Sequence, residues 1–157
     1  MDIVEEILRQ ILKSVQTLEK RTKTILAPDD FLKNVRSLEK LDAVCMQLIT
    51  LGENIKNLDK VTHKLLLKKY PQFEWKSAMG MRDIISHHYF DLNTEIVFQV
   101  VKEEIPKLKS IVMDIIKNSK QSRLRTSCYG GQGRVKSKQE RMGKNERQRY
   151  GSGSSKR

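Results

Sequence analysis

Apolar residues recur at three- and four-residue steps along most of the first 117 positions, and alternating strand patterns do not occur. Val4, Leu8, Ile11, Val15, Leu18, Thr22 and Ile25 form one such stripe, while Glu5, Arg9, Lys13, Glu19 and Lys20 supply a polar side. This predicts an amphipathic helix over residues 2–26, with Asp2 and Glu5 spaced as a capping box. Ala27-Pro28-Asp29-Asp30 breaks the pattern, because proline cannot continue a helix and aspartate caps the next one. The stripe resumes at Phe31 and runs through Val35, Leu38, Leu41, Cys45, Leu48, Gly52 and Ile55 to Leu58. A helix of that length, about 42 Å at roughly 1.5 Å per residue, forms the spine of the fold. Gly52 falls on the stripe, where the missing side chain lets another helix come close, although glycine costs about 1 kcal/mol against alanine.

Residues 58–70 read as a short helix that ends before Pro71, with His63 among lysines as a surface histidine. Trp75, Ala78, Met79, Ile85 and Tyr89 predict a helix from about 75 to 90. Asn93 or Thr94 caps a last helix whose buried face uses Ile96 or Val97, Val100, Val101, Ile105, Leu108, Ile111, Val112 and Ile115, and Pro106 should kink or split it. Before residue 118 the glycines are Gly52 and Gly80. The fold class expected is all-α, an antiparallel up-and-down bundle of four main helices plus a short helix.

Composition divides the chain in two. Residues 119–157 carry twelve Lys/Arg against Glu140 and Glu146, a net of +10, which leaves +2 of the total +12 for residues 1–118. This tail holds six glycines, and its aliphatic residues are Leu124 and Val135. Such a segment buries too little apolar surface to offset the entropy of ordering it, so a disordered basic tail is expected after a domain of residues 1–118. Its charge leaves three readings open: salt-dependent attraction to RNA or ribosomes, contact with an anionic membrane surface, or an extension with no selected role. Cys45 lies on the helical stripe and Cys128 in the tail, so no disulfide framework is expected, and Cys45 reads as inert packing. The amino terminus, Met1-Asp2-Ile3-Val4-Glu5-Glu6, lacks a basic segment followed by an apolar one, and no apolar run approaches the roughly 20 residues that span a bilayer. A soluble, cytoplasmic protein is expected, with no membrane partner. Three histidines and two cysteines at these separations make no zinc pattern, and no phosphate-binding glycine loop is present. Neither a metal nor another cofactor is expected. Met46, Met79 and Met81 read as gap-fillers.

The candidate chemistry is gathered in Met81-Arg82-Asp83-Ile84-Ile85-Ser86-His87-His88-Tyr89-Phe90. At about 100° per residue, Tyr89 falls on nearly the same line as Arg82, with Ser86 between them, while His87 lies about 140° from Arg82. Asp83 and His87 are four apart and within reach, which would orient the imidazole and favour its charged form. His88 points about 100° from His87, which disfavours joint chelation of a metal.

Arg82-Asp83-Ile84-Ile85-Ser86-His87-His88-Tyr89 fits R-x4-H-x-Y and resembles the signature of the HepT-like toxins, in the HEPN superfamily of helical nucleic-acid-processing domains. Leu51-Gly52-Glu53 resembles the family's glycine-glutamate turn of the long helix. Pro71 through Trp75 resembles the segment before its motif helix, and Ile105-Pro106-Lys107-Leu108 its closing helix. The resemblance covers about residues 1–117 in the family's order. It implies a metal-independent endoribonuclease toxin that works as a homodimer, with Arg82 and His87 catalytic, Asp83 and Ser86 supporting, and RNA as substrate. It also implies a partner, an MntA-like nucleotidyltransferase antitoxin of a type VII toxin–antitoxin system, which transfers AMP to the motif tyrosine, here Tyr89. Some family members carry asparagine after the motif arginine, where this chain has Asp83, a charge that makes the site less inviting to phosphate. A second reading is a non-catalytic nucleotide- or protein-binding helical subunit that partners a nucleotidyltransferase.

Overall fold

The computed structural model describes residues 2–87 and 91–129, and the side chains among these up to Ser122. The chain divides into two units, residues 1–120 and 121–157. Among the described residues there is no strand. The first unit is the helical bundle, and the elements of the chain in order are α1 (Ile3–Arg21), a 3₁₀ turn (Pro28–Phe31), α2 (Val35–Val61), a second 3₁₀ turn (Leu67–Lys69), α3 (Trp75–His87), α4 (Thr94–Gln99), a π-helical turn (Val100–Glu104) and α5 (Ile105–Tyr129), whose last residues belong to the second unit. Because α4, the π turn and α5 follow without a break, four main helical rods make the fold, as the periodicity predicts. In the second unit residues 121–129 are helical, so the helix continues past the boundary expected at Asn118.

Helix α1 starts where Asp2 accepts a hydrogen bond from the Val4 amide at 3.3 Å. It ends at Arg21, short of the expected residue 26. Thr22 turns its hydroxyl back onto the Leu18 carbonyl at 2.8 Å, and Ile25 N–H goes to the Thr22 carbonyl as a turn. Ile7, Leu8, Ile11, Val15 and Leu18 are buried, and Ile25 remains buried from the loop.

The long helix begins later than expected. Phe31 is fully buried, but from the 3₁₀ turn. Asp30 holds that turn by accepting hydrogen bonds from the Leu26 and Ala27 amides at 2.6 and 2.9 Å and pairing with Lys33. Those contacts pull its carboxyl down to about 2. Asn34 then caps α2 through the Ser37 amide at 3.0 Å. Val35 and Leu38, expected on the buried stripe, are exposed instead, because the 3₁₀ turn has already delivered Phe31 to the core. From Leu41 the stripe runs as predicted through Val44, Cys45, Leu48, Leu51, Gly52, Ile55 and Leu58. Burial, then the charge of Asp42, pushes the Cys45 thiol up to about 11, in keeping with packing rather than nucleophilic chemistry.

The short helix expected over residues 58–70 is not formed. Residues to Val61 continue α2, and His63 and Lys64 then adopt left-handed backbone with φ of 52° and 60°. Lys64 N–H closes onto the Asp59 carbonyl at 2.8 Å, a helix-terminating loop of the kind glycine usually supplies. His63 is exposed, as expected of a surface histidine. Leu67, buried in the second 3₁₀ turn, carries the chain back to the core.

Just before Pro106 a π turn separates the α-helical segments α4 and α5, which follow one another without a gap. Ile105 N–H donates to the Val100 carbonyl, the five-residue step of a π turn. Proline has no N–H to offer the carbonyl four residues back, and a local change of register just before it is one way a helix absorbs that loss. The stripe continues through Val101, Ile105, Leu108, Ile111, Val112 and Ile115, all buried. Lys109 bridges to Glu19 at 2.7 Å, which links α5 to α1. No helix among the described residues is long and apolar enough to cross a membrane.

Candidate active site on the third helix

The start of α3 is fixed by aromatic contacts. Trp75 Nε1 donates to the Tyr70 carbonyl at 2.7 Å, and the Trp75 and Phe73 rings meet edge to face with centroids 4.8 Å apart. With Phe73, Trp75 and Ile85 buried, the rotation of the helix is set. Its other side is then committed to solvent: Asp83, Ser86 and His87 are exposed and Arg82 half-buried.

Helix α3 packs against α2 through Gly52. A Cβ placed there would stand 3.1 Å from the Ala78 carbonyl oxygen and 3.3 Å from Arg82 Cβ. The two helices are therefore closer here than most side-chain-bearing positions come, as the glycine on the stripe foretells. The next residue, Glu53, stands beside Arg82, and its Oε1 accepts from Arg82 Nε at 2.9 Å. Arg82 Nη1 also donates to Asp83 Oδ1 at 2.8 Å. The two carboxylates raise the pKa of the guanidinium, the hydrogen bond to Asp83 first and the charge of Glu53 next. In return the bond from Arg82 holds the Asp83 carboxyl below the usual aspartate range, with smaller help from the charges of Arg82, Lys56 and His87.

These contacts refine the expected roles. The Asp83 hydrogen bond recorded here comes from Arg82, and His87 acts on Asp83 through its charge. Since α3 is helical through His87, Arg82 and His87 remain about 140° apart around its axis, as periodicity requires. Ser86 is exposed one turn beyond Arg82. His88, Tyr89 and Phe90 lie outside the described residues, and with them the proposed acceptor Tyr89. Sequence reading passed over Lys56, and it named Glu53 only within the glycine-glutamate turn, without its pairing to Arg82. The available signal was position: both follow Gly52 on α2 within about one turn, so a helix drawn close by the glycine meets them. Among the described residues no group of three or more His, Cys, Asp or Glu is gathered as a metal site.

The family model for "Ribonuclease HepT-like" proteins matches residues 11–115, a span that contains α2, the Gly52 contact and Arg82 through Tyr89. The chain belongs to the HepT-like ribonuclease family. Similar curated proteins include a "Gamma-glutamylcyclotransferase and putative RNase" of Methanocaldococcus jannaschii, 33% identical over 126 residues, which cover 78% of this chain and 53% of that protein. The chain thus spans about half the length of that relative. A "Putative RNase" of Caldanaerobacter subterraneus is 33% identical over 120 residues, 72% of this chain and 94% of the relative. A "Probable ribonuclease HepT" of Thermococcus cleftensis is 30% identical over 105 residues, 67% of this chain and 88% of the relative. No solved structure matches the chain.

The closeness of α2 and α3 can be tested at the glycine. Gly52→Val should lower stability by about 1–3 kcal/mol in urea unfolding, because overpacking there outweighs the roughly 0.3–0.5 kcal/mol that exchanging glycine for valine returns to helix propensity. Unchanged or higher stability would show that the contact at Gly52 has room for a side chain.

Proposed function

We propose that this member of the HepT-like ribonuclease family is an endoribonuclease toxin that cleaves RNA through the ribose 2′-OH without a metal ion, with Arg82 and His87 as its catalytic residues. The observation that carries this reading is that both members of the R-x4-H pair, Arg82 and His87, stand on solvent-reached sides of α3 within residues 11–115, the span the family model matches. Imidazole, with an ordinary pKa near 6.5, suits general acid–base work at neutral pH, worth about 10²–10⁴ in rate. One imidazole takes the proton as the 2′ oxygen bonds to phosphorus. A second, protonated imidazole gives a proton to the 5′ oxygen as the P–O5′ bond breaks. The products are a 2′,3′-cyclic phosphate and a 5′-OH. A guanidinium binds the phosphodiester as a planar fork and balances charge that builds on its oxygens.

One α3 helix supplies His87 and Arg82 on different sides, so the complete site needs a second copy of the chain. In a homodimer two motifs share one cleft, which brings two histidines and two arginines to the same phosphate. The basic residues of 119–157, net +10, add salt-dependent attraction to the RNA backbone.

The activity is switched off, in this reading, by an MntA-like nucleotidyltransferase antitoxin, which makes the pair a type VII toxin–antitoxin system. The Tyr89 hydroxyl attacks the α-phosphorus of ATP, pyrophosphate leaves, and the attached adenylate blocks the cleft by bulk and by negative charge.

Purified protein in EDTA should cut single-stranded RNA to fragments ending in 2′,3′-cyclic phosphate. Arg82→Ala and His87→Ala should each lose about 10²-fold or more in rate, while their melting temperatures stay within a few degrees of the parent. A His87→Ala protein that cuts as fast as the parent would overturn the assignment. After co-expression with a nucleotidyltransferase of the stated kind, intact-protein and peptide mass spectrometry should place adenylate on Tyr89. Adenylate at another residue, or none, counts against the switch.

A further inference from the structure

Arg82 touches two carboxylates, and they meet it on different nitrogens. Glu53 takes Nε from across the α2–α3 contact, and Asp83 takes Nη1 from the adjoining residue of α3. The three side chains are 42, 49 and 53% exposed for Arg82, Glu53 and Asp83, so a phosphate in solution reaches the guanidinium. By charge alone, both carboxylates handicap a phosphate site, since each repels the anion and satisfies a donor it needs.

Geometry separates the two. A guanidinium grips a phosphate with two parallel N–H bonds along one edge of its plane. Glu53 engages Nε and leaves the terminal Nη1–Nη2 edge untouched by its own carboxylate. Asp83 occupies Nη1, one of the two nitrogens of that free edge. Their supports differ as well. Glu53 is rooted in α2 beside Gly52, where α3 approaches so closely that an added Cβ would stand 3.1 Å from the Ala78 carbonyl oxygen. Asp83 rides on the same helix as Arg82, and its bond closes within the adjacent-residue pair, so a phosphate displaces it by a side-chain rotation alone.

Resting on the RNA-cleavage reading above, we infer that these two carboxylates act in opposite senses: Glu53 is a positioning residue that fixes the plane of Arg82 through Nε, and Asp83 is an internal competitor for the nitrogen that the scissile phosphate takes. Removing negative charge at Glu53 therefore slows the reaction, although it makes the site more cationic. Removing it at Asp83 opens the site to substrate.

The test uses the full chain and a fluorogenic single-stranded RNA oligonucleotide, with kcat and KM measured separately. Asp83→Asn should lower KM by about two- to fivefold, the worth of an exposed ion pair, with kcat kept or raised. Glu53→Ala should lower kcat by about 10- to 100-fold, the scale of a misplaced catalytic group, with KM unchanged or lower. Glu53→Gln should fall between the parent and Glu53→Ala, because its amide oxygen still accepts from Nε. Circular dichroism melts accompany each variant, and if Glu53→Ala fails to fold, the isosteric Glu53→Gln decides.

A gain in kcat/KM for both the Glu53 and the Asp83 variants would reduce both carboxylates to electrostatic handicaps and overturn the inference. So would a kcat indifferent to Glu53, or a KM raised by Asp83→Asn. Failure of the underlying reading is distinct: it is seen when cleavage no longer depends on Arg82 and His87, whereas intact dependence on those two with the wrong response at Glu53 sinks this inference alone.

Discussion

Glycine at position 52 lets α3 settle against α2 at a separation that would crowd a Cβ, and the placement of Arg82 follows from it. Hydrophobic burial alone would bring the helices together, since Leu48, Leu51, Ile55, Trp75 and Ile85 leave water on folding. It would not choose the separation. The absent Cβ does, and with it the reach of Glu53, whose carboxylate meets the arginine at 2.9 Å. Trp75 and Phe73 fix the other end of α3, so the helix can neither slide nor rotate without losing an aromatic contact or the close approach.

That geometry makes Arg82 a prepared cation rather than a free one. Exposed ion pairs contribute little to stability, about 0–1 kcal/mol, so the two carboxylates around it are poorly explained as staples of the fold. They matter more as constraints on direction. A mobile arginine loses side-chain entropy when it grips a phosphate, while one already held at Nε loses less. The bond from Arg82 lowers the Asp83 pKa below the ordinary aspartate range, so the carboxylate stays charged further into acid than a free aspartate does. Its contact with Arg82 is present above the ordinary aspartate range and is lost only as pH falls through the depressed value.

The helices were legible in the sequence because burial imposes a period, and Leu41 to Leu58 shows it without interruption. The departures have local causes that periodicity does not see. Phe31 reached the core from a 3₁₀ turn braced by Asp30, which displaced the start of α2 and left Val35 and Leu38 outside. The stop after Val61 falls on His63 and Lys64 in left-handed backbone, a conformation usually announced by glycine, so an unbroken apolar run masked it. Pro106 signalled an interruption, yet the π turn that accommodates it has no sequence mark of its own. At the site, the motif residues and the close approach at Gly52 could be read directly. The pairing of Glu53 with Arg82 could not, because it joins two helices and depends on their rotation.

The same rotation sets Arg82 and His87 on different sides of α3, and the account stands or falls on a cleft that two copies complete. Mixing addresses this most directly. Parent and His87→Ala proteins are unfolded together in urea at varied ratios, refolded as mixtures and assayed on RNA. A shared cleft that uses both histidines predicts activity that falls as the square of the parent fraction, because only dimers of two parent chains keep the pair. Activity that falls in simple proportion to the parent fraction, with mixed dimers verified by native mass spectrometry, would contradict it.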